Sequence, residues 1–353
     1  MMKEIILQHL KMYPQMGIQD IIKLIYQSEF GGGHMIANSE ESFDRLYKEC
    51  MRLEPVPAGT PVRYESIGHQ LGRLYLDGIE NHLSLATVNQ FFVNTANQVH
   101  SDMHAFLKRL DRLEALCVQG ELPLNAEAVR ESLAAYKAAG CPMTHHSQRY
   151  RKAYAPAYRV ISEDYMRYLS AFERIDRLLR RDGDRPVVVA IDGRCGSGKS
   201  FLCRLLASVY DCNQIHVDDF FLRPEQRTHE RLTEVGGNVD YERFLSEVIA
   251  PLSQGKEVFD YQRYDCMQQR LTQVVTVRRK PLTIVEGSYS LHPYFGDAYD
   301  LRIFMDLDAQ TQKQRILERN GAYMLERFVG EWIPKENAYF EKFGIREKCD
   351  MVF

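Results

Sequence analysis

Residues 193–200 read Gly-Arg-Cys-Gly-Ser-Gly-Lys-Ser, and this octet limits the fold of the chain more than any other feature. It fits the pattern G-x-x-x-x-G-K-[S/T] at every position. At average composition such an octet arises by chance in roughly one chain of this length in a hundred. Here it also lies between a continuous apolar run, 187–191, and an amphipathic stretch, 199–210. The order strand, glycine-rich turn, helix is what the pattern needs to work. Backbone N–H groups turn inward around phosphate oxygens, and the helix points its positive end at them. Gly193, Arg194, Cys195, Gly196, Ser197, Gly198, Lys199, Ser200 and Phe201 are therefore expected to hold a nucleotide. Lys199 would reach the β- and γ-phosphates and the Ser200 hydroxyl would bind Mg²⁺. ATP with magnesium is the expected cofactor pair, although the octet itself does not choose between ATP and GTP.

A chain of 353 residues usually holds two domains. Asp182-Gly183-Asp184-Arg185-Pro186 punctuates this one, with 1–182 expected as a mainly α-helical domain and 183–353 as an α/β domain. Before the punctuation, apolar residues at helical spacing occupy 18–30, 84–116, 126–139 and 162–181. Asn38 or Ser39 is placed to cap a helix running to Leu53. Residues 62–77 read either as a small hairpin or as irregular chain. After Pro186 short apolar runs at 187–191, 215–217, 282–285, 301–305 and 351–353 alternate with helical patterns at 199–210, 241–252, 309–320 and 335–343. That alternation predicts a doubly wound sheet of five parallel strands.

The ends of those strands carry further chemistry. Ile215-His216-Val217-Asp218-Asp219 closes the second, and carboxylates at a strand's C-terminal edge face the crevice where ligands bind. One of the pair could take the proton of an acceptor hydroxyl, or both could simply cap the next helix. Glu286, closing the third, stands where an acid would hold magnesium or its water. Arg315 and Arg319 share a helix face and would clamp a transferring phosphoryl group, unless they form a solvated charged face.

Taken in order, 193–200, Val217-Asp218-Asp219-Phe220-Phe221, Val285-Glu286-Gly287 and 315–319 resemble the uridine kinase and phosphoribulokinase family. Asp218-Asp219-Phe220-Phe221 is also similar to the corresponding stretch of nicotinamide riboside kinases. The resemblance covers about 170 residues, essentially the C-terminal domain. It implies ATP-dependent transfer of a phosphoryl group to a hydroxyl, with Asp218 as catalytic base and Asp218 and Glu286 helping Ser200 to hold magnesium. By the same resemblance Asp240 would hold ribose hydroxyls and Tyr264 would frame a nucleobase. Two departures stand against uridine itself. Met267-Gln268-Gln269 replaces the base-reading histidine, and the family does not normally carry about 180 residues in front. A nucleoside-like acceptor is thus expected, with nicotinamide riboside or pantothenate as alternatives. A second reading makes the α/β domain an ATPase or nucleotide switch that regulates the helical one, and a nucleic-acid end kinase is a weaker third.

Other features bound the setting. No N-K-x-D guanine reader or L-S-G-G-Q-like signature is present. The net charge of −3 does not suit a protein that coats nucleic acid. No apolar run approaches the roughly 18 residues that span a bilayer. The eight cysteines form no C-x-x-C pair, so a reducing cytoplasm is the expected setting; a homo-oligomer stays open. In the N-terminal half, Phe30-Gly31-Gly32-Gly33-His34 is read as a helix stop or an anion nest. Cys141 with His145 and His146 offers too few ligands for zinc. The basic, aromatic stretch 145–159 is read as a solvated or domain-facing helix, as a contact for a phosphorylated small molecule, or as a contact for single-stranded nucleic acid.

Overall fold

Apolar residues three and four apart between Ile18 and Phe30 form the helix that their spacing demands. It stops at Gly31, whose φ of 57° lets its N–H donate back to the Gln27 carbonyl at 2.9 Å. This computed structural model describes residues 2–32, 35–57, 59–98, 102–181 and 185–353. Gly33 and His34 of the glycine-rich stretch, and Asp182, Gly183 and Asp184 of the expected linker, lie outside those residues. Asn38 is the cap of the next helix, Ser39–Cys50, accepting the Glu41 N–H at 3.1 Å. By contact density the chain divides into units Met1–Leu169 and Ser170–Phe353.

The first unit is mainly helical, with one small antiparallel sheet ordered β1 (Tyr64–Gly68), β2 (Leu71–Tyr75), β3 (Tyr158–Ser162). The β1–β2 hairpin turns on His69 and Gln70, both left-handed at φ 54° and 59°. That turn shape normally advertises itself as Asn-Gly. The stretch 145–159, expected as one helix, instead gives helix Gln148–Tyr154 and then β3, because Pro156 cannot continue a helix. The helix expected over 162–181 is two, Glu163–Arg167 and Leu169–Leu179.

In the second unit β4 (Val187–Gly193) is buried at every position, as a central parallel strand must be. β5 (Cys212–His216) follows, then a hairpin of β6 (Val258–Asp265) and β7 (Arg270–Arg278), then β8 (Leu282–Glu286), β9 (Leu301–Met305) and β10 (Met351–Val352). The five-stranded sheet runs β10-β9-β4-β8-β5, all parallel, which is the predicted α/β architecture. The β6–β7 hairpin is not legible as strands, because β6 reads Val-Phe-Asp-Tyr-Gln-Arg-Tyr-Asp and most of β7 faces solvent. Phe220, Phe244, Val248, Phe304 and Tyr339 are among the side chains that fill the core over the sheet. No helix among the described residues is long and apolar enough to cross a membrane.

Helix Leu169–Leu179 belongs with this second unit. The Tyr210 hydroxyl donates to Asp176 Oδ1 at 2.9 Å and to the Phe172 carbonyl at 3.3 Å, and the two rings lie 5.9 Å apart. Phe172 and Ile175 are fully buried. Phe172→Ala should therefore cost about 3–5 kcal/mol, lowering the thermal midpoint by roughly 10 °C. A fragment beginning at Ser170 should likewise melt above one beginning at Pro186; equal midpoints in calorimetry would detach this helix from the unit.

Candidate functional site

Register places the site. In β8 Glu286 pairs with Ile191 of β4 on one side and His216 of β5 on the other, so the three strands end together. Beyond them Gly193 turns at φ 133° beside β9, where an added Cβ would lie 2.2 Å from the Met305 carbonyl oxygen. Only glycine fits that approach. Gly198, at φ 103°, starts helix Lys199–Ala207.

The loop between them is built to receive an anion. Among the described residues, the N–H groups of Gly196, Gly198, Lys199 and Ser200 have no partner, and the buried Ser197 hydroxyl has none either. Lys199, 9% exposed, donates to the Gly193 carbonyl at 2.7 Å and to that of Arg194 at 3.0 Å. An orphaned donor nest with a tethered ammonium fits the phosphates of a nucleotide. Phe201, in the first turn, is 38% exposed. Arg194 points away, to Asp306 at 2.9 Å and Asn337 at 2.6 Å.

The acidic side holds Ser200, Glu286 and Asp218. The Ser200 hydroxyl donates to Glu286 Oε1 at 3.1 Å. His216 Nδ1 lies 2.6 Å from the same oxygen, and this contact raises the imidazole pKa above its usual value. Asp218 is reachable by solvent, yet loss of hydration in the cleft and the neighbouring Glu286 charge both push its carboxyl pKa up. Two neighbouring carboxylates beside a hydroxyl, one of them disfavoured in its charged form, are a donor set suited to a divalent cation with oxygen ligands.

The paired acid has another task. Asp219 is buried and accepts from Arg263 Nε at 3.0 Å and from the Tyr261 hydroxyl at 3.2 Å, while its carbonyl accepts from Arg243 at 2.9 Å. Asp240 caps helix Tyr241–Phe244 by accepting the Arg243 N–H at 3.1 Å, and also accepts from Gln226 at 2.8 Å. Tyr264 is buried and its hydroxyl accepts from Arg227 at 2.7 Å. Any acceptor hydroxyl at Asp240 or Tyr264 would share those bonds. Arg315 reaches the loop, donating to the Gly196 carbonyl at 3.2 Å, whereas Arg319 is exposed and bonds Asn320 at 2.7 Å.

Three residues here escape sequence reasoning. Asp192, wholly buried, accepts the N–H groups of Gly193, Tyr289 and Leu291 and the Tyr339 hydroxyl at 2.9 Å; desolvation pushes it up to about 6. Glu336 accepts the Cys195 N–H at 3.0 Å and the Ser288 hydroxyl at 2.6 Å. His216 is the third, and its only signal was its place at a strand end. The Cys195 thiol is pushed up to about 12 by burial and by Glu336, so it stays protonated.

The two neighbouring acids should behave oppositely. Asp219→Asn takes a buried carboxylate from its half-exposed partner Arg263 and from the Tyr261 hydroxyl, and should cost about 1–3 kcal/mol, seen as a lowered thermal midpoint. Asp218→Asn removes a charge that the fold disfavours. A carboxyl with a raised folded-state pKa weakens the native state above its unfolded pKa, so this change should raise the midpoint at pH 7. A fall for Asp218→Asn would contradict the electrostatic description of the cleft.

No family model matches the sequence, and no curated protein matches it significantly. Solved structures that resemble it include a possible uridine kinase from Bacillus stearothermophilus, at 18% identity over 52% of this chain and 99% of that one, with a TM-score of 0.39. D-glycerate 3-kinase from Cryptococcus neoformans var. grubii is 15% identical over 48% of this chain and 86% of that one, with a TM-score of 0.34. At these values the likeness settles neither substrate nor reaction.

Proposed function

We propose that the unit Ser170–Phe353 is an ATP-dependent kinase that phosphorylates a hydroxyl of a small, nucleoside-like metabolite. The observation that carries this reading is Asp218. It stands beside the phosphate loop with its pKa raised and its partner Asp219 tied up elsewhere, which leaves one solvent-reachable carboxylate to act as a base. A switch or motor needs the loop but no such group facing an acceptor cleft.

Each side chain then has a task. ATP supplies the phosphoryl group, and magnesium supplies charge neutralisation when bound. Ser200, Asp218 and Glu286 would hold the metal, and the unpartnered N–H groups would receive phosphate oxygens. Lys199 would exchange its two carbonyl partners for phosphate and stabilise charge developing there. Asp218 would take the acceptor's proton, and the raised pKa makes it a better base than an ordinary aspartate. Arg315, held at the Gly196 carbonyl, is the nearer of the two arginines for the transferring group; Arg319 would have to leave Asn320. Asp240 and Tyr264 would border the acceptor. Nicotinamide riboside and pantothenate remain acceptors to compare with nucleosides.

Lys199→Ala should lower phosphoryl transfer by about 10²-fold or more with little change in thermal midpoint. Asp218→Asn should lower turnover by about 10²–10⁴-fold while ATP affinity changes much less. Both are read as ADP release across a panel of hydroxyl metabolites. Rapid ADP release that no acceptor stimulates would replace the kinase with an ATPase or switch.

A further inference from the structure

The helix Ile18–Phe30 breaks the rule of an apolar inner face. Asp20 and Gln27 are buried among Ile21, Ile22, Leu24 and Ile25, and half-buried Lys23 lies between them. Burying polar groups is unfavourable unless each is bonded, and departures of this kind concentrate at functional sites. Here most are bonded. Asp20 accepts from the Ser147 N–H and hydroxyl, both at 2.8 Å, and lies 3.0 Å from His146 Nδ1. His146 Nε2 meets the Tyr158 hydroxyl at 2.7 Å. Arg73, fully buried on β2, pairs with Glu65 at 3.0 Å and donates through Nε and Nη2 to Gln27 Oε1 at 3.1 and 2.8 Å.

That arrangement fixes which way Gln27 faces. Its oxygen is held by Arg73, so its amide NH₂ is left as a donor with no partner among the described residues. A cavity of about 480 Å³ opens there, walled by Lys23, Gln27, Glu49, His146, Arg151 and Tyr158 among others. Lys23 has a single hydrogen bond, to the Thr144 carbonyl at 3.2 Å, and no carboxylate partner. Burial and the nearby Arg73 cation bring its pKa down to about 8 against a smaller opposing pull from Asp20, so an anion beside it would favour the charged ammonium. Arg151 carries no ion pair among the described residues. The one acid on the wall, Glu49, is neutralised by Arg159 at 2.8 Å. The cavity therefore offers donors and positive charge, and the acid behind its wall, Asp20, is already engaged by Ser147 and His146. A neighbouring cavity of about 250 Å³ shares Gln27 and Tyr158 and is walled partly by Phe92 and Val160, which gives room for an organic portion.

We propose that this cavity of the first unit binds the phosphate group of a small organic phosphate, through Lys23, the Gln27 amide and Arg151. The basic stretch 145–159 is thereby one wall of a ligand site. A half-buried ammonium and a guanidinium at the cavity mouth suit phosphate, and the charge-assisted bonds they form are the strong ones.

The test uses the full chain and tungstate, a phosphate-shaped oxyanion with strong anomalous scattering. Crystals soaked in tungstate should show a peak within hydrogen-bond reach of Lys23 Nζ and Gln27 Nε2, distinct from any peak at the loop 193–200. Lys23→Met should remove the first peak and leave the second. Arg151→Gln, at an exposed position, should weaken the first peak and keeps the test open if Lys23→Met fails to fold. Calorimetric titration is run with the loop 193–200 filled by β,γ-methylene-ATP and magnesium. Ribose 5-phosphate should bind about tenfold or more tighter than inorganic phosphate, ribose should not bind, and each variant should weaken binding by about tenfold or more. Equal affinity for inorganic phosphate would overturn an organic occupant. No peak in the cavity, or a peak and affinity unaltered in both variants, would overturn the site.

Discussion

Asp192 is a carboxylate with no access to water at the end of the central strand, and it survives there because four donors converge on it. Three are backbone N–H groups, from Gly193, Tyr289 and Leu291, and the fourth is the Tyr339 hydroxyl. These come from the phosphate loop, from the turn after β8 and from helix Ile333–Phe343, so one side chain fixes three segments relative to each other. Glu336 on the same helix adds a second tie, through Cys195 N–H and Ser288. The loop thus hangs from buried acids rather than from its glycines alone. Loss of either acid would leave several buried donors unpaired, which is the costly side of a hydrogen bond.

Electrostatic tension within the cleft follows from that rigidity. Glu286 and Asp218 cannot move apart, because one ends a central strand and the other opens the turn after β5. The protein offsets part of the repulsion with His216 on one side and Lys199 on the other. A divalent cation would complete the compensation. The N-terminal unit shows the inverse pattern, with Lys23 and Arg73 close together, Glu65 engaged with Arg73, and Asp20 offsetting only part of the charge on Lys23. One site is short of positive charge and the other short of negative charge, and each shortage names the charge of what it is suited to bind.

The parallel sheet and its loop were legible because they rest on local rules. Val and Ile runs buried on both faces mark central strands, and the glycine pattern tolerates few alternatives. What stayed hidden depends on contacts distant in sequence. Asp192 and Glu336 are 144 positions apart, and nothing in either neighbourhood announces a shared task. Arg73 reads as a surface residue of a short alternating strand until Gln27, Glu65 and Tyr158 close around it. The β6–β7 pair escaped although β7 carries the β-branched run Val274-Val275-Thr276-Val277, because β6 mixes aromatic and charged residues without an apolar run of its own. Asp218 and Asp219 look equivalent in sequence, and only Arg263 and Tyr261 tell them apart.

Of the eight cysteines, Cys266 alone is exposed. It follows β6 and feels the charges of Asp218 and Arg227, which places it near the cleft that holds Asp218. The other seven are shielded to varying degrees; desolvation raises the pKa of all eight, so exposure and not acidity sets Cys266 apart. The unaltered chain therefore carries a built-in attachment point for a fluorescent or spin label, beside the charges of that cleft. A label there would report ligands entering the cleft optically, whatever their chemistry.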